Sequence, residues 1–132
     1  MRLLRARPAR RDAGVLILSY VIIVPVFLLA LMVITQAAMW FLARSAALAA
    51  ARQGVDAARV EPVSLDAGTS EARRFARQSA HGYLTVTGVD PSASTATTIV
   101  ISVTGRVPSI VAFLPITVTQ VAEAPVERFT AP

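Results

Sequence analysis

The sequence predicts an α+β protein: a long N-terminal transmembrane helix continuing into an exposed helix, then a short helix and a small antiparallel sheet. Three observations predict it. Val15 to Ala43 is a run of 29 residues without a charge, residues 69–80 repeat at a helical period, and three later stretches alternate apolar with polar side chains. With 132 residues, and much of that length in one apolar segment, any water-facing core must be small.

The charge of +5 is not spread over a face. Residues 1–14 carry Arg2, Arg5, Arg7, Arg10 and Arg11 against Asp12, a net +4, while residues 15–132 carry only +1. A basic patch for nucleic acid would need those charges gathered on a folded surface, so no nucleic-acid partner is expected. Next to an apolar run, the same cluster is a topological signal. Loops rich in arginine are retained in the cytoplasm, so Arg5, Arg7, Arg10 and Arg11 form a cytoplasmic anchor and the C-terminal part lies outside.

Residues 15–43, VLILSYVIIVPVFLLALMVITQAAMWFLA, exceed the roughly 20 residues needed to cross a ~30 Å hydrocarbon layer. A helix apolar on every side would otherwise need a large protein around it, and the apolar core of a cleaved secretory signal is far shorter, about 7–15 residues. The surplus length calls for tilt or for emergence on the outer side. Residues 44–59, RSAALAAARQGVDAAR, favour emergence as a continuation of the same helix to about Ala58. Trp40 falls near the expected outer interface, where an indole suits the boundary between lipid and water. Pro25 removes a backbone donor and crowds the carbonyl of Val21, so a kink or a local loss of helix is expected there.

The expected segments are thus a leader at 1–14, a span at 15–43, the helix extension at 44–60 and a small outer α+β domain at 61–132. Pro62 ends the long helix. A short helix follows over Thr69 to Ala80, with Thr69 or Ser70 as N-cap, and Ala72, Phe75, Ala76 and Ser79 or Ala80 on one face. Gly82 ends it. Strand alternation then sets Leu84 and Val86 against Tyr83, Thr85 and Thr87; Ile99, Ile101 and Val103 against Thr98, Val100, Ser102 and Thr104; and Ile116 to Val121 forms a third β-rich run. Between the last two lies VPSIVAFLP, residues 107–115, read either as a hydrophobic turn covering the sheet or long helix or as an exposed contact surface.

Catalytic chemistry has little to work with. The chain has no cysteine, which excludes disulfides, thiolate nucleophiles and sulfur zinc sites. It has no lysine for a phosphate-binding G-x-x-x-x-G-K-[ST] loop, no serine in a G-x-S-x-G context and no close carboxylate pair. The single histidine, His81, is expected to satisfy carbonyls at the end of the short helix. Inside the span only Ser19, Tyr20, Thr35 and Gln36 are polar, too few to converge at one depth as a membrane enzyme requires. No enzyme activity, metal or cofactor is expected.

Residues 11–25, RDAGVLILSYVIIVP, resemble the N-terminal signature of TadE-like pseudopilins and minor pilins of the tight-adherence (Flp, type IVc) pilus assembly system. That signature runs R-x-x-G, a glutamate five residues on, an aromatic next, and a proline eleven after the glycine; Gly14, Tyr20 and Pro25 fall at those spacings, and Ser19 occupies the glutamate position. RSAALAAARQGVDAAR and APVERF at 124–129 are similar to later family stretches. The resemblance implies a pilin-like subunit in the cytoplasmic membrane, cut by a prepilin peptidase between Gly14 and Val15, and associating through its helix with other pilin-like subunits and the pilus assembly platform. It also implies a loss at Ser19, since the family glutamate is thought to neutralise the new amine of a neighbouring subunit. The alternative is an uncleaved single-pass anchor presenting a small extracellular binding domain.

Overall fold

A computed structural model of the chain describes residues 11–60, 62–110 and 114–127, with side chains from residue 19 onward. The element order is α1 (Arg11–Ala58), α2 (Leu65–Ser79), β1 (Thr85–Asp90), β2 (Thr98–Val107) and β3 (Ile116–Pro125). This is the expected α+β architecture. The chain divides into two compact units, one ending at Thr35 and one beginning at Gln36.

In the first unit α1 passes through Pro25 without interruption, so the local loss of helix allowed for there does not occur. Its described side chains from Ser19 to Ile34 are all exposed. Thr35 satisfies its hydroxyl on its own helix, donating to the Leu31 carbonyl at 2.9 Å, which is how a hydroxyl stays paired on an apolar helix.

The second unit explains the alanine-rich sequence beyond residue 43. Ala43, Ala46, Ala47, Ala50, Ala51, Gly54, Val55 and Ala58 recur at helical spacing and are buried, giving this part of α1 a core-facing stripe of small residues. α2 meets it with Gly68, Ala72 and Ala76. The contact is close enough that a Cβ on Gly68 would stand 2.6 Å from both the Gly54 carbonyl oxygen and the Ala58 Cβ. Ile99, Ile101, Val103 and Val107 of β2, the largest fully buried side chains, complete the core.

α2 begins earlier than the sequence suggests. Its N-cap is Ser64, whose hydroxyl accepts from the Ala67 N–H at 3.2 Å, and not Thr69 or Ser70. The glycine at 68 has the residue type of a turn, yet it lies in the first turn of α2, where a larger residue would not fit against α1. The expected inner face is found, with Ala72, Ala76 and Ala80 buried and Phe75 packed against them, while Ser79 is exposed. Gly82, at φ 96, takes the left-handed conformation that follows the helix end.

The sheet is antiparallel in the order β1-β2-β3, with Val89 opposite Val103 and Val118 opposite Gly105. The register of β1 shifts between Val86 and Gly88. Such a bulge reverses which face successive residues point to, so buried Val89 follows Leu84 and Val86 even though it is out of phase with them. On β2 the buried and outward residues fall as expected. β3 runs on past Val121, which points outward and is exposed, to Pro125.

Candidate functional site

Two features could carry function: the apolar part of α1 and the turn between β2 and β3. The first begins among residues at the edge of the description. Arg5, Arg7 and Arg10 lie outside the described residues, and Arg11, Gly14 and Val15 lie on α1 without described side chains. Ser19 and Tyr20 are exposed on α1. At about 100° per residue, Pro25 lies within roughly 20° of Gly14 around the helix, whereas Ser19 is roughly 140° away. Gly14 and Pro25 therefore share a face that Ser19 does not.

They mark the start of a surface that is apolar all round. Val21, Ile22, Ile23, Phe27, Leu29, Val33 and Ile34 project on successive faces and are each more than half exposed. Among the described residues, α1 is the one helix long and apolar enough to cross a membrane, judged by length and composition. Exposed apolar surface of this extent is unstable in water, so it calls for lipid or for other helices.

The second feature joins α1 to the turn. Gln36 Nε2 donates to the Pro108 carbonyl at 3.4 Å, and the Ile110 N–H donates to Gln36 Oε1 at 3.0 Å. Nothing in the spacing of the sequence pairs residue 36 with residue 110; the one signal was an amide among apolar neighbours. One helical turn further on, the Arg44 guanidinium lies 5.6 Å from the centroid of the Trp40 ring, within cation–π range. Of the apolar segment 107–115, Val107 is buried as the end of β2, while Ile110 and Leu114 are about half exposed, at 48% and 51%. Val111, Ala112 and Phe113 lie outside the described residues.

Elsewhere the outer domain offers ordinary surface chemistry. His81 is exposed and, among the described residues, donates to no helix carbonyl, so it does not cap the helix as expected. That work falls to the Tyr83 hydroxyl, which donates to the Ser79 carbonyl, and to the Tyr83 and Leu84 N–H groups, which donate to Ala80. His81 instead lines a shallow depression with Arg73, Arg77 and Thr85. Arg74 clasps Glu71 through two hydrogen bonds of 2.9 and 2.7 Å, which hold the Glu71 carboxyl below the usual carboxylate range. Asp90 is held low by the N–H and hydroxyl of Ser92, at 2.8 and 2.9 Å. Arg59 ties the end of α1 to Asp56 at 3.1 Å and to Glu127 at 3.4 Å. Among the described residues no three histidine or acidic side chains gather where a metal could bind.

No curated protein and no solved structure gives a significant match to the chain. A family model described as TadE-like protein does match, over residues 14–56. That interval begins at the glycine of the signature, contains the whole apolar surface of α1, and ends in the alanine stripe that packs on α2. Residues 14–56 are therefore similar to the TadE-like family, the one that the spacing of Gly14, Tyr20 and Pro25 resembles.

Proposed function

We propose that the protein is a pseudopilin-like component of a tight-adherence pilus assembly system, anchored in the cytoplasmic membrane by α1, with its N-terminus inside and residues 44–132 outside. The observation that carries this reading is the apolar surface of α1 from Tyr20 to Ile34, exposed on every face and lying within the TadE-like segment. Such a helix is satisfied equally by acyl chains and by the helices of other pilin-like subunits. An assembly protein needs both, since its helix must pass from lipid into contact with neighbours. Pro25 supports the transfer, because a helix lacking one internal hydrogen bond bends at lower cost.

A prepilin peptidase cuts after Gly14 and leaves Val15 as the new N-terminus. Glycine is the poorest helix former after proline, which lowers the cost of opening the backbone at the cut. Intact-mass spectrometry of protein extracted from membranes of cells with active prepilin peptidase tests the step. A mass beginning at Val15 is expected, and a full-length Met1–Gly14 leader on all of the protein would remove processing from the proposal.

Ser19 favours a second reading. A serine at the glutamate position supplies no charge to pair with a neighbouring amine, which weakens the assembly role more than the cut at Gly14; the second reading is an uncleaved single-pass anchor that presents its outer domain and enters no filament. Recovery of the chain in sheared surface fractions separates the two, since an anchor stays with the membrane.

A further inference from the structure

We propose that the outer domain binds an acidic segment of a partner polypeptide, held in extended form along the free edge of β1 with its carboxylates against Arg73 and Arg77. Every residue of this site belongs to the second compact unit, so the site goes beyond the reading of α1 as an anchor and does not depend on it.

α2 and β1 border a depression of about 610 Å³, within the roughly 300–1,000 Å³ range of ligand clefts. Arg73, Arg77 and His81 line it together with Ala76, Leu84 and Val86. Arg73 and Arg77 lie one turn apart on the same face of α2. Both are exposed, and among the described residues neither has an ion pair or a side-chain hydrogen bond. Arg74 between them differs, since it is already clasped to Glu71. No acidic side chain lines the depression, although residues 61–132 carry six acids against five arginines. The cations are therefore gathered by the fold and not by composition. Guanidinium groups so placed take carboxylates through paired N–H donors.

The strand beside them supplies the other half of the site. β1 pairs with β2 on one side, and among the described residues no backbone group bonds to its other side. An open edge of this kind accepts an extended chain through main-chain hydrogen bonds. The bulge between Val86 and Gly88 interrupts the edge and re-aims its later part, which leaves Thr85 and Val86, at the depression, to make the pairing. Leu84 is buried and Val86 half-buried, and with Ala76 they offer apolar surface to the side chains that alternate with carboxylates along a strand. No aromatic ring lines the depression, so unstacked bases find no platform there, which favours an acidic peptide over a nucleic acid.

The full chain in detergent micelles is titrated, by fluorescence anisotropy, with a fluorescein-labelled peptide that alternates glutamate and valine. Comparison peptides carry lysine in place of glutamate, or are N-methylated throughout, which removes the backbone donors and keeps the carboxylates. Saturable binding of the glutamate peptide is expected, with no binding of the lysine peptide and binding of the N-methylated one weakened roughly tenfold or more. Arg73→Gln combined with Arg77→Gln should weaken binding by roughly the same factor with unchanged far-ultraviolet circular dichroism. Arg52→Gln, at an exposed arginine outside the depression, should leave it unchanged. Hydrogen exchange at residues 85–90 should slow at saturation. No binding of the glutamate peptide, or equal binding by the double variant, overturns the proposal. Equal binding of the N-methylated peptide, of heparin or of a single-stranded oligonucleotide would reveal an indiscriminate anion surface and overturn the strand pairing, as would unchanged exchange at saturation.

Discussion

Glycine 68 illustrates how much of this fold depends on the absence of a single methyl group. An added Cβ would stand 2.6 Å from the Gly54 carbonyl oxygen, a backbone atom that cannot rotate away. Alanine improves intrinsic helix propensity by about 1 kcal/mol, but forced overpacking costs about 1–3 kcal/mol and here moves one helix off another. Gly68→Ala should therefore lower stability, and thermal unfolding followed by circular dichroism should show a midpoint several degrees below that of the parent. Gly88→Ala is the matched control, because nothing lies within 4 Å of its added Cβ, and it should leave the midpoint nearly unchanged. Asp90 gives a residue-scale prediction of a different kind. Its pKa is lowered in the folded chain by Ser92, first through the backbone N–H and then the hydroxyl. A group with a depressed folded pKa contributes stability that is present above its unfolded pKa, about 3.9, and is lost as pH falls through the folded value. The unfolding midpoint should accordingly decline on acidification below roughly pH 4, and Asp90→Asn, measured in the same titration, should show a smaller decline. An equal decline in the variant would place the acid sensitivity elsewhere.

Among the elements, α2 depends on its cap and its packing face together. Ser64 satisfies a first-turn N–H, and its backbone N–H donates to the Ala58 carbonyl at 3.2 Å, so one residue closes the end of α1 and opens α2. Ser64→Ala removes only the hydroxyl and should cost about 1 kcal/mol, read as a shift in the denaturant midpoint with unchanged slope. The element scale is also where the sequence was least legible. α1 follows from its uncharged length, and the inner face of α2 and the inward residues of β2 follow from periodicity, because a single repeat governs each of those two. The start of α2 did not, since Gly68 has the residue type of a turn and the tertiary position of a helix crossing. The phase of β1 did not either, since the bulge after Val86 shifts the alternation and no side chain there announces it. Of the candidate site, the apolar surface and its spacing signature were plain in the residues. The link from Gln36 to the turn at Pro108 and Ile110 was not, because it joins positions more than seventy residues apart through one amide.

At the scale of the whole molecule, charge and apolar length divide the labour between orientation and depth. The apolar run is long enough to span from either direction, so its length says nothing about which end faces the cytoplasm. On the proposed reading that choice is left to the arginines, five in residues 1–14 against the dispersed Arg44 and Arg52 on the far side. Replacing Arg5, Arg7, Arg10 and Arg11 with glutamine would leave Arg2 and Asp12 before the span, a net charge near zero, and shift the balance of positive residues to the outer side. Placing Ala96→Cys in both backgrounds provides the readout, because it is exposed and is the chain's sole thiol. In the parent background a membrane-impermeant maleimide added to spheroplasts should label it without lysis. In the glutamine background a substantial fraction should become labelled only after the membrane is opened. Equal labelling before lysis in both would mean that the folded outer domain, and not the basic leader, dictates the orientation of α1. Labelling of the parent only after lysis would place residues 44–132 in the cytoplasm and overturn the proposed topology outright.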